Sequence, residues 1–309
     1  MKKKKKLIAA DPQKFAFTIK LLLWAVFFMS LASFLSSLSW ICSLLEHLKF
    51  IYFIFAFIAC LYFILKKNIP YVVLSLVCVC LNFLPTFLLL QGRLVHPPEL
   101  KMTRQIFLHN VHNGNDEKKY VRQLSTSSVL NVFFEVNHRM NLDFEIIFGK
   151  NKKVVSAPSE DNYGWGIWGN KLFKYEKSFS IEETSFIKKV LSSNDNISFY
   201  FVHLPPPIFP DLWGIQSQAL VWLIAEIQKE KGKVIIAGDF NLTPWSYQFR
   251  YFKNELEKRT IRPAKNLYVP SWPSFFPLLP IDHVFSNFPI DAQKKDSLGS
   301  DHHQISIRY

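Results

Sequence analysis

The sequence predicts an α/β sandwich that follows an apolar N-terminal third. Two observations carry that reading. Between residues 106 and 308, short apolar runs rich in β-branched and aromatic residues outnumber helical patterns, and most of them end in a polar residue. Before residue 92, by contrast, three long stretches (Leu21 to Leu45, Phe50 to Leu65 and Asn68 to Gln91) carry no charge at all.

A helix needs roughly 20 apolar residues to cross the hydrocarbon core. The first and third stretches meet that, and the second is short but flanked by Lys49, Lys66 and Lys67, whose stems can reach the interfaces. The expected organisation is a basic cytoplasmic N-terminus over 1–20, three transmembrane helices over 21–91, a stiff linker over 92–102 containing Pro97-Pro98, and a catalytic domain over 103–309. A cleaved signal peptide fits poorly, because the first run is too long and two more follow. Lysines at 2–6, 14, 20, 66 and 67 place the N-terminus in the cytoplasm by the positive-inside rule. Three crossings then make a multi-pass inner-membrane protein with its domain on the extracytoplasmic side.

The net charge of +13 divides unevenly. Residues 1–99 hold 11 basic and 3 acidic side chains, a balance of +8, and residues 100–309 hold 26 and 21, a balance of +5. Most of the basicity therefore sets topology or faces anionic lipid. The domain's own excess does not by itself argue for nucleic acid. All four cysteines (42, 60, 78 and 80) lie in the apolar third, which excludes disulfides, a cysteine nucleophile and a thiolate metal site in the domain.

Within the domain, Ile106 to Leu108 reads as a strand delivering His109 to Asn115, and Asp116 to Leu124 as a helix. Ser128 to Phe134 is a strand ending at Glu135, and Phe144 to Phe148 another strand. The aromatic, glycine-containing stretch Tyr163 to Phe173 suits strands beside a cleft, and Trp165 to Phe173 could touch lipid. Ile197 to Val202 delivers His203, ahead of three prolines. Gln216 to Lys229 carries apolar residues at helical spacing. Val234 to Ala237 is a buried strand leading through Gly238 to Asp239 and Asn241, which share a side if extended backbone persists. An Asx turn is the plainer reading of the same residues. Phe249 to Leu256 is a helix, 272–280 a loop, 281–285 a strand, 299–303 a turn and 304–308 a closing strand.

The strand ends thus offer Asn110, Glu135, His203, Asp239 with Asn241, Asp282, and Asp301 with His302. Oxygen donors without thiolates suit a hard cation such as Mg²⁺ or Mn²⁺. An Asp-His pair suits acid or base work, and imidazole with amides suits charge on a phosphoryl group. Each residue alone has an ordinary reading as an exposed acid, a cap or a loop contact; together they describe one rim.

Gly238-Asp239-Phe240-Asn241, Ile281-Asp282-His283 and Gly299-Ser300-Asp301-His302, in that order, resemble the endonuclease/exonuclease/phosphatase superfamily. Thr243-Pro244-Trp245-Ser246 and the Trp272-Pro273 that precedes Pro280-Ile281-Asp282-His283 are similar to its bacterial membrane-anchored branch. The resemblance covers about residues 103–309 and is most specific in the last third. It implies an α/β (α+β) fold, a four-layered β-sandwich flanked by helices, and metal-dependent cleavage of phosphoester bonds. By the same resemblance, Glu135, Asn110 and Asp301 are metal residues, with Asp301 the acid beside the catalytic histidine. Asp239 positions or deprotonates the attacking water, Asn241 and His203 contact phosphate, and Asp282 orients His302. Two departures stand out: Phe134 occupies a glutamine position, and 136–202 lacks an arginine-bearing strand signature. The implied partners are a phosphoester substrate (nucleic acid or lipid headgroup) and the bilayer, with no obligate protein partner. The competing reading is a catalytically weakened membrane module that binds lipid or a partner.

Overall fold

The computed structural model describes residues 11–85, 87, 102–114, 129–264 and 270–309. The chain divides into two units, Met1–Thr86 and Phe87–Tyr309. The linker expected over 92–102, apart from residue 102, and the helix expected at 116–124 lie outside the described residues.

Two mixed six-stranded sheets build the second unit. The strands are β1 (Gln105–Asn110), β2 (Leu130–Phe134), β3 (Lys153–Ala157), β4 (Trp165–Gly169), β5 (Phe173–Ile181), β6 (Thr184–Ser192), β7 (Ile197–His203), β8 (Lys233–Asp239), β9 (Arg262–Pro263), β10 (Asp282–Ser286), β11 (Asp291–Lys295) and β12 (Gln304–Arg308). One sheet runs β11-β12-β1-β2-β4-β3 and the other β5-β6-β7-β8-β10-β9. The parallel pairs are β1 with β2 and β7 with β8.

Alternation along the strands separates the layers. Ile106, Leu108, Val132, Phe134, Phe199, Phe201, Ile235 and Ala237 fill the space between the sheets. Outside the first sheet, Phe133 and Trp168 meet Met140, Phe144 and Phe148 from the helix His138–Phe148. Outside the second, Tyr200, Val202, Val234 and Ile236 meet Leu220, Leu223, Phe249 and Phe252 from the helices Pro210–Lys229 and Tyr247–Glu257. The result is helix, sheet, sheet, helix, an α/β sandwich.

The strand expected at Phe144 to Phe148 is the end of a helix. Met140, Phe144 and Phe148 recur every fourth residue and bury one face, and Asn137 caps the start by accepting from the Met140 amide at 2.8 Å. Trp165 and Trp168 are fully buried in β4, beside the edge strand β3, so these two side chains do not face lipid as the reading of Trp165 to Phe173 expected.

Gly238 fixes how closely β7 and β8 approach. Its φ is 147°, and an added Cβ would stand 1.9 Å from the Val202 carbonyl oxygen. Gly238→Ala is therefore expected to lower stability by about 3 kcal/mol or more in urea melts.

On the second sheet, Glu230 accepts from Tyr200 at 2.6 Å and Ser198 at 2.8 Å and pairs with Lys189 at 2.7 Å. Burial alone would raise its pKa, but Lys189, Tyr200 and Ser198 outweigh that and hold the carboxyl below its usual range. A depressed carboxyl contributes stability above its unfolded pKa of about 4.3, and loses it as pH falls through the folded value. Glu230→Gln should therefore narrow the gap between melting temperatures at pH 7 and pH 3.

The first unit corrects the expectation of three spans. Pro12–Leu35 is a single helix long and apolar enough to cross a membrane, started by Asp11, which accepts from the Gln13 amide at 2.9 Å. The second stretch instead forms Trp40–His47 and Lys49–Leu65, bent by 56° at their junction. The third forms Ile69–Leu81, only 13 residues. Asn82 interrupts it, its side chain donating to Ser30 Oγ at 2.7 Å and to the Cys78 carbonyl at 2.8 Å, and helical backbone resumes over 83–85. Residue 86 and the rest of the expected third span, 88–91, lie outside the described residues.

Candidate active site

Strand direction brings the nominated side chains to one rim. Asn110 is opposite Phe134, the residue before Glu135. His203 is opposite Asp239 on one side of β8, and Asp282 is opposite Asp239 on the other. The turn before β12 adds Asp301 and His302. That turn is tied down by Ser300, whose Oγ donates to the Asn110 carbonyl at 2.7 Å and accepts from the His302 amide at 3.1 Å.

These side chains form a continuous buried line. Asp282 Oδ2 lies 3.1 Å from His302 Nδ1, and His302 Nε2 lies 3.6 Å from Asp239 Oδ2. Asn110 Nδ2 donates to Glu135 Oε1 at 2.8 Å and reaches Asp239 Oδ2 at 3.3 Å. Asn110 Oδ1 accepts from the His112 amide at 3.1 Å, so the amide group braces two carboxylates with one end and shapes the turn with the other. His203 Nε2 stands 3.9 Å from Glu135 Oε1, and its buried Nδ1 has no hydrogen-bond partner among the described residues. Phe134 stacks on the His203 ring at 5.3 Å and meets Trp165 edge-on at 4.9 Å, so the residue at the expected glutamine position supports an imidazole.

Asn241 departs from the shared-face expectation. Its φ is 49°, which ends the extended backbone. Its amide donates to Asp239 Oδ1 at 2.9 Å, an Asx turn, and its side chain donates to the Leu204 carbonyl at 2.8 Å. His283 faces away, with Nε2 at 2.6 Å from the Leu242 carbonyl.

Electrostatics divide the line into unlike parts. Burial pushes Asp239 up to about 7, despite the opposing pull of His302. Burial alone would lower His302, but Asp282 and Asp239 outweigh it and raise the ring to about 10. Burial would raise Asp282, and His302 instead holds it low. His203 is lowered to about 3 by burial and by the charge on His302, so its ring is neutral. A carboxylate near neutrality beside a cationic imidazole is an arrangement suited to proton transfer and to stabilising anionic charge.

A family model described as Endonuclease/Exonuclease/phosphatase matches residues 111–302. The chain belongs to this family. Among curated proteins, none matches the chain by sequence. A functionally unknown conserved protein from Enterococcus faecalis is similar in fold, with TM-score 0.50, 16% identity, and coverage of 66% of this chain and 98% of that one. TDP2 from C. elegans is also similar, with TM-score 0.50, 12% identity, and coverage of 68% and 77%. At these identities the likeness shows the fold alone.

Enzymes of the family hydrolyse phosphoester bonds and generally use a divalent metal, so the donor set must be tested against one. Asp239, Asp282 and His302 place ligand atoms within 4.8 Å of one another. Two of the three are already paired with each other, and a cationic imidazole is not a ligand. Glu135 fits better. It is buried, its carboxyl is raised by that burial, and Asn110 Nδ2 and the Asn113 amide at 3.3 Å are its hydrogen-bond donors among the described residues. Asp301 is more open; its Oδ2 accepts from Trp272 Nε1 at 3.0 Å and its Oδ1 from Ser300 Oγ at 3.4 Å.

Three contributors were not singled out by their sequence context. Ser300 and Trp272 fix the Asp301-His302 turn. His112 stands between Glu135 and Asp301, with Nδ1 at 3.8 Å from Glu135 Oε2 and 3.6 Å from Asp301 Oδ1. The only available signal was its place two residues after Asn110 at a strand end.

Proposed function

We propose that this chain is a membrane-tethered, metal-dependent phosphodiesterase acting on lipid-headgroup phosphoesters. The unbroken line Asp282–His302–Asp239–Asn110–Glu135 carries the catalytic part of that reading. Asp239 would orient the attacking water and take its proton. His302, held by Asp282, would offset charge on the phosphoryl oxygens. Neutral His203 would present a ring nitrogen to the phosphate, and the Asn241 turn would keep Asp239 aimed. Asn110 would hold Glu135 and Asp239 apart at fixed distance, and Glu135 with Asp301 would carry the cation, Mg²⁺ or Mn²⁺. A divalent ion there supplies a positive charge that offsets the developing phosphoryl charge.

Two features support the lipid assignment. The helix Pro12–Leu35 is apolar and largely exposed within its unit, as a bilayer-embedded segment would be. A single crossing by that helix would put the domain on the side opposite a cytoplasmic N-terminus, whereas a second crossing by the bent pair Trp40–His47 and Lys49–Leu65 would return it. Loops at the catalytic rim also expose large apolar side chains. Phe275 and Phe276 are 86% and 64% exposed on the loop that Ser274 ties to Asp301 and Ser300, and Ile208 and Phe209 are 45% and 59% exposed just after His203. Such side chains suit an interfacial surface better than a phosphate backbone.

The test uses the full-length chain in detergent with Mn²⁺. Mixed micelles of sphingomyelin or phosphatidylcholine, single-stranded DNA and bis-p-nitrophenyl phosphate are offered separately. Faster turnover of a lipid than of DNA is expected. DNA cleavage without lipid hydrolysis would overturn the substrate, and inertness toward all of them would overturn the catalytic reading.

A further inference from the structure

We propose that Lys294 is a positioning residue of the hydrolytic site, a buried ammonium whose charge holds Asp282 in place as the partner of His302. The inference rests on the reading of Asp282, His302 and Asp239 as part of one reacting line.

Strand register brings Lys294 to the right place. It belongs to β11, the edge strand of the first sheet, and is opposite Ile305 of β12. Ala292 and Ile305 lie in the core between the sheets, and alternation along β11 puts Lys294 on that same face. Val284 enters the same core from the second sheet, so Asp282, two residues earlier on β10, shares its face. Both positions are at the rim end. Lys295 is opposite Gln304, where β12 begins just after His302, and Asp282 is opposite Asp239. Lys294 and Asp282 thus enter the space between the sheets from opposite sides, at the end where the site lies.

The head of Lys294 reverses the usual habit of the residue. Lysine commonly buries its stem and leaves its ammonium in water. Lys294 is only half-buried as a residue, yet its Nζ is hidden from solvent and has no hydrogen-bond partner among the described residues. Lys295, one position on, is exposed and donates to Gln293 Oε1 at 3.0 Å in the ordinary way. Burying an ammonium with its donors unmet costs stability. A hydrophobic residue of similar length would fill the same space without that cost.

Asp282 is the group that makes sense of the charge. Burial pushes the Lys294 amine down, and Asp282 pulls it back up. Burial likewise opposes the charge on Asp282, and His302, the Ser271 hydroxyl and Lys294 together hold that carboxyl low. His302 is drawn toward two carboxylates, with Nδ1 at 3.1 Å from Asp282 and Nε2 at 3.6 Å from Asp239. A second cation acting on Asp282 fixes one of those two anchors, so the ring keeps its other nitrogen toward Asp239.

The test compares full-length wild type, Lys294→Met, Asp282→Asn and the double variant, in detergent with Mn²⁺ and bis-p-nitrophenyl phosphate. Methionine keeps most of the stem and removes the charge. Lys294→Met is expected to lower kcat about tenfold or more while changing KM less than about threefold. Its melting temperature should equal or exceed that of wild type, because a buried ammonium without hydrogen bonds is gone. In the Asp282→Asn background the same substitution should change kcat less than about twofold, because Lys294 acts through Asp282. An unchanged kcat in Lys294→Met, a loss accompanied by a lower melting temperature, or an equal loss in both backgrounds would overturn the inference, and an active wild type would leave the hydrolytic reading standing. An inert wild type would overturn both.

Discussion

His302→Ala is expected to lower kcat/KM for a phosphodiester by at least about 10³-fold, equivalent to about 4 kcal/mol of transition-state stabilisation. The ring lies between Asp282 and Asp239, at 3.1 Å and 3.6 Å. Its loss would remove the charge proposed to offset the developing phosphorane and leave Asp282 buried without its partner. Asp282 keeps the Ser271 hydroxyl nearby, which receives the Asp282 amide at 3.4 Å, so the strand end remains anchored. The protein should stay folded, with substrate binding changed far less than turnover. Steady-state kinetics with a thermal melt as control checks both halves.

Asp239→Asn is the second large effect, with an expected loss of about 10³ to 10⁴ in kcat. An amide preserves volume and can still accept from the Asn241 amide, but it cannot take a proton. The carboxyl stands near neutrality because it is buried, so the wild-type activity should rise as pH passes from about 6 to 8. In Asp239→Asn that limb of the pH profile should be absent. A variant that keeps the same ascending limb assigns the proton transfer elsewhere.

Much of this architecture was legible in the sequence because strand ends leave a distinct trace. Val234 to Ala237 running into Gly238 and Asp239, and Ile197 to Val202 running into His203, show apolar runs stopping at a polar residue. Both positions prove to be partners across one ladder. The long hairpin β5–β6 was hidden because its residues do not alternate simply; it carries register shifts near Tyr175 and Phe179. Phe144 to Phe148 misled because five residues are too few to separate a strand from the end of a helix, and the helical spacing emerges only when Met140 is included. The spans were over-read for another reason. An uncharged stretch shows that a segment is apolar, but not where its helix bends, as near Leu48, or breaks, as at Asn82, whose side chain reaches Ser30 Oγ of another helix.

Side-chain roles were less legible than side-chain positions. Asn110 sits where expected, yet its amide braces Glu135 and Asp239 and its oxygen serves the His112 turn. Asn241 likewise secures Asp239 through its backbone. His112 reads as an ordinary loop histidine in the sequence, and only the fold sets its Nδ1 3.6 Å from Asp301, 189 residues away.

Glu135, Asn110, Asp239, His302 and Asp282 are proposed to form one cation-dependent hydrolytic site. The most direct measurement is hydrolysis of bis-p-nitrophenyl phosphate by EDTA-treated full-length protein, before and after Mn²⁺ is restored, in wild type and Glu135→Gln. Mn²⁺ should restore turnover to wild type and not to Glu135→Gln at the same concentration. Turnover that survives EDTA, or that returns equally in Glu135→Gln, contradicts it.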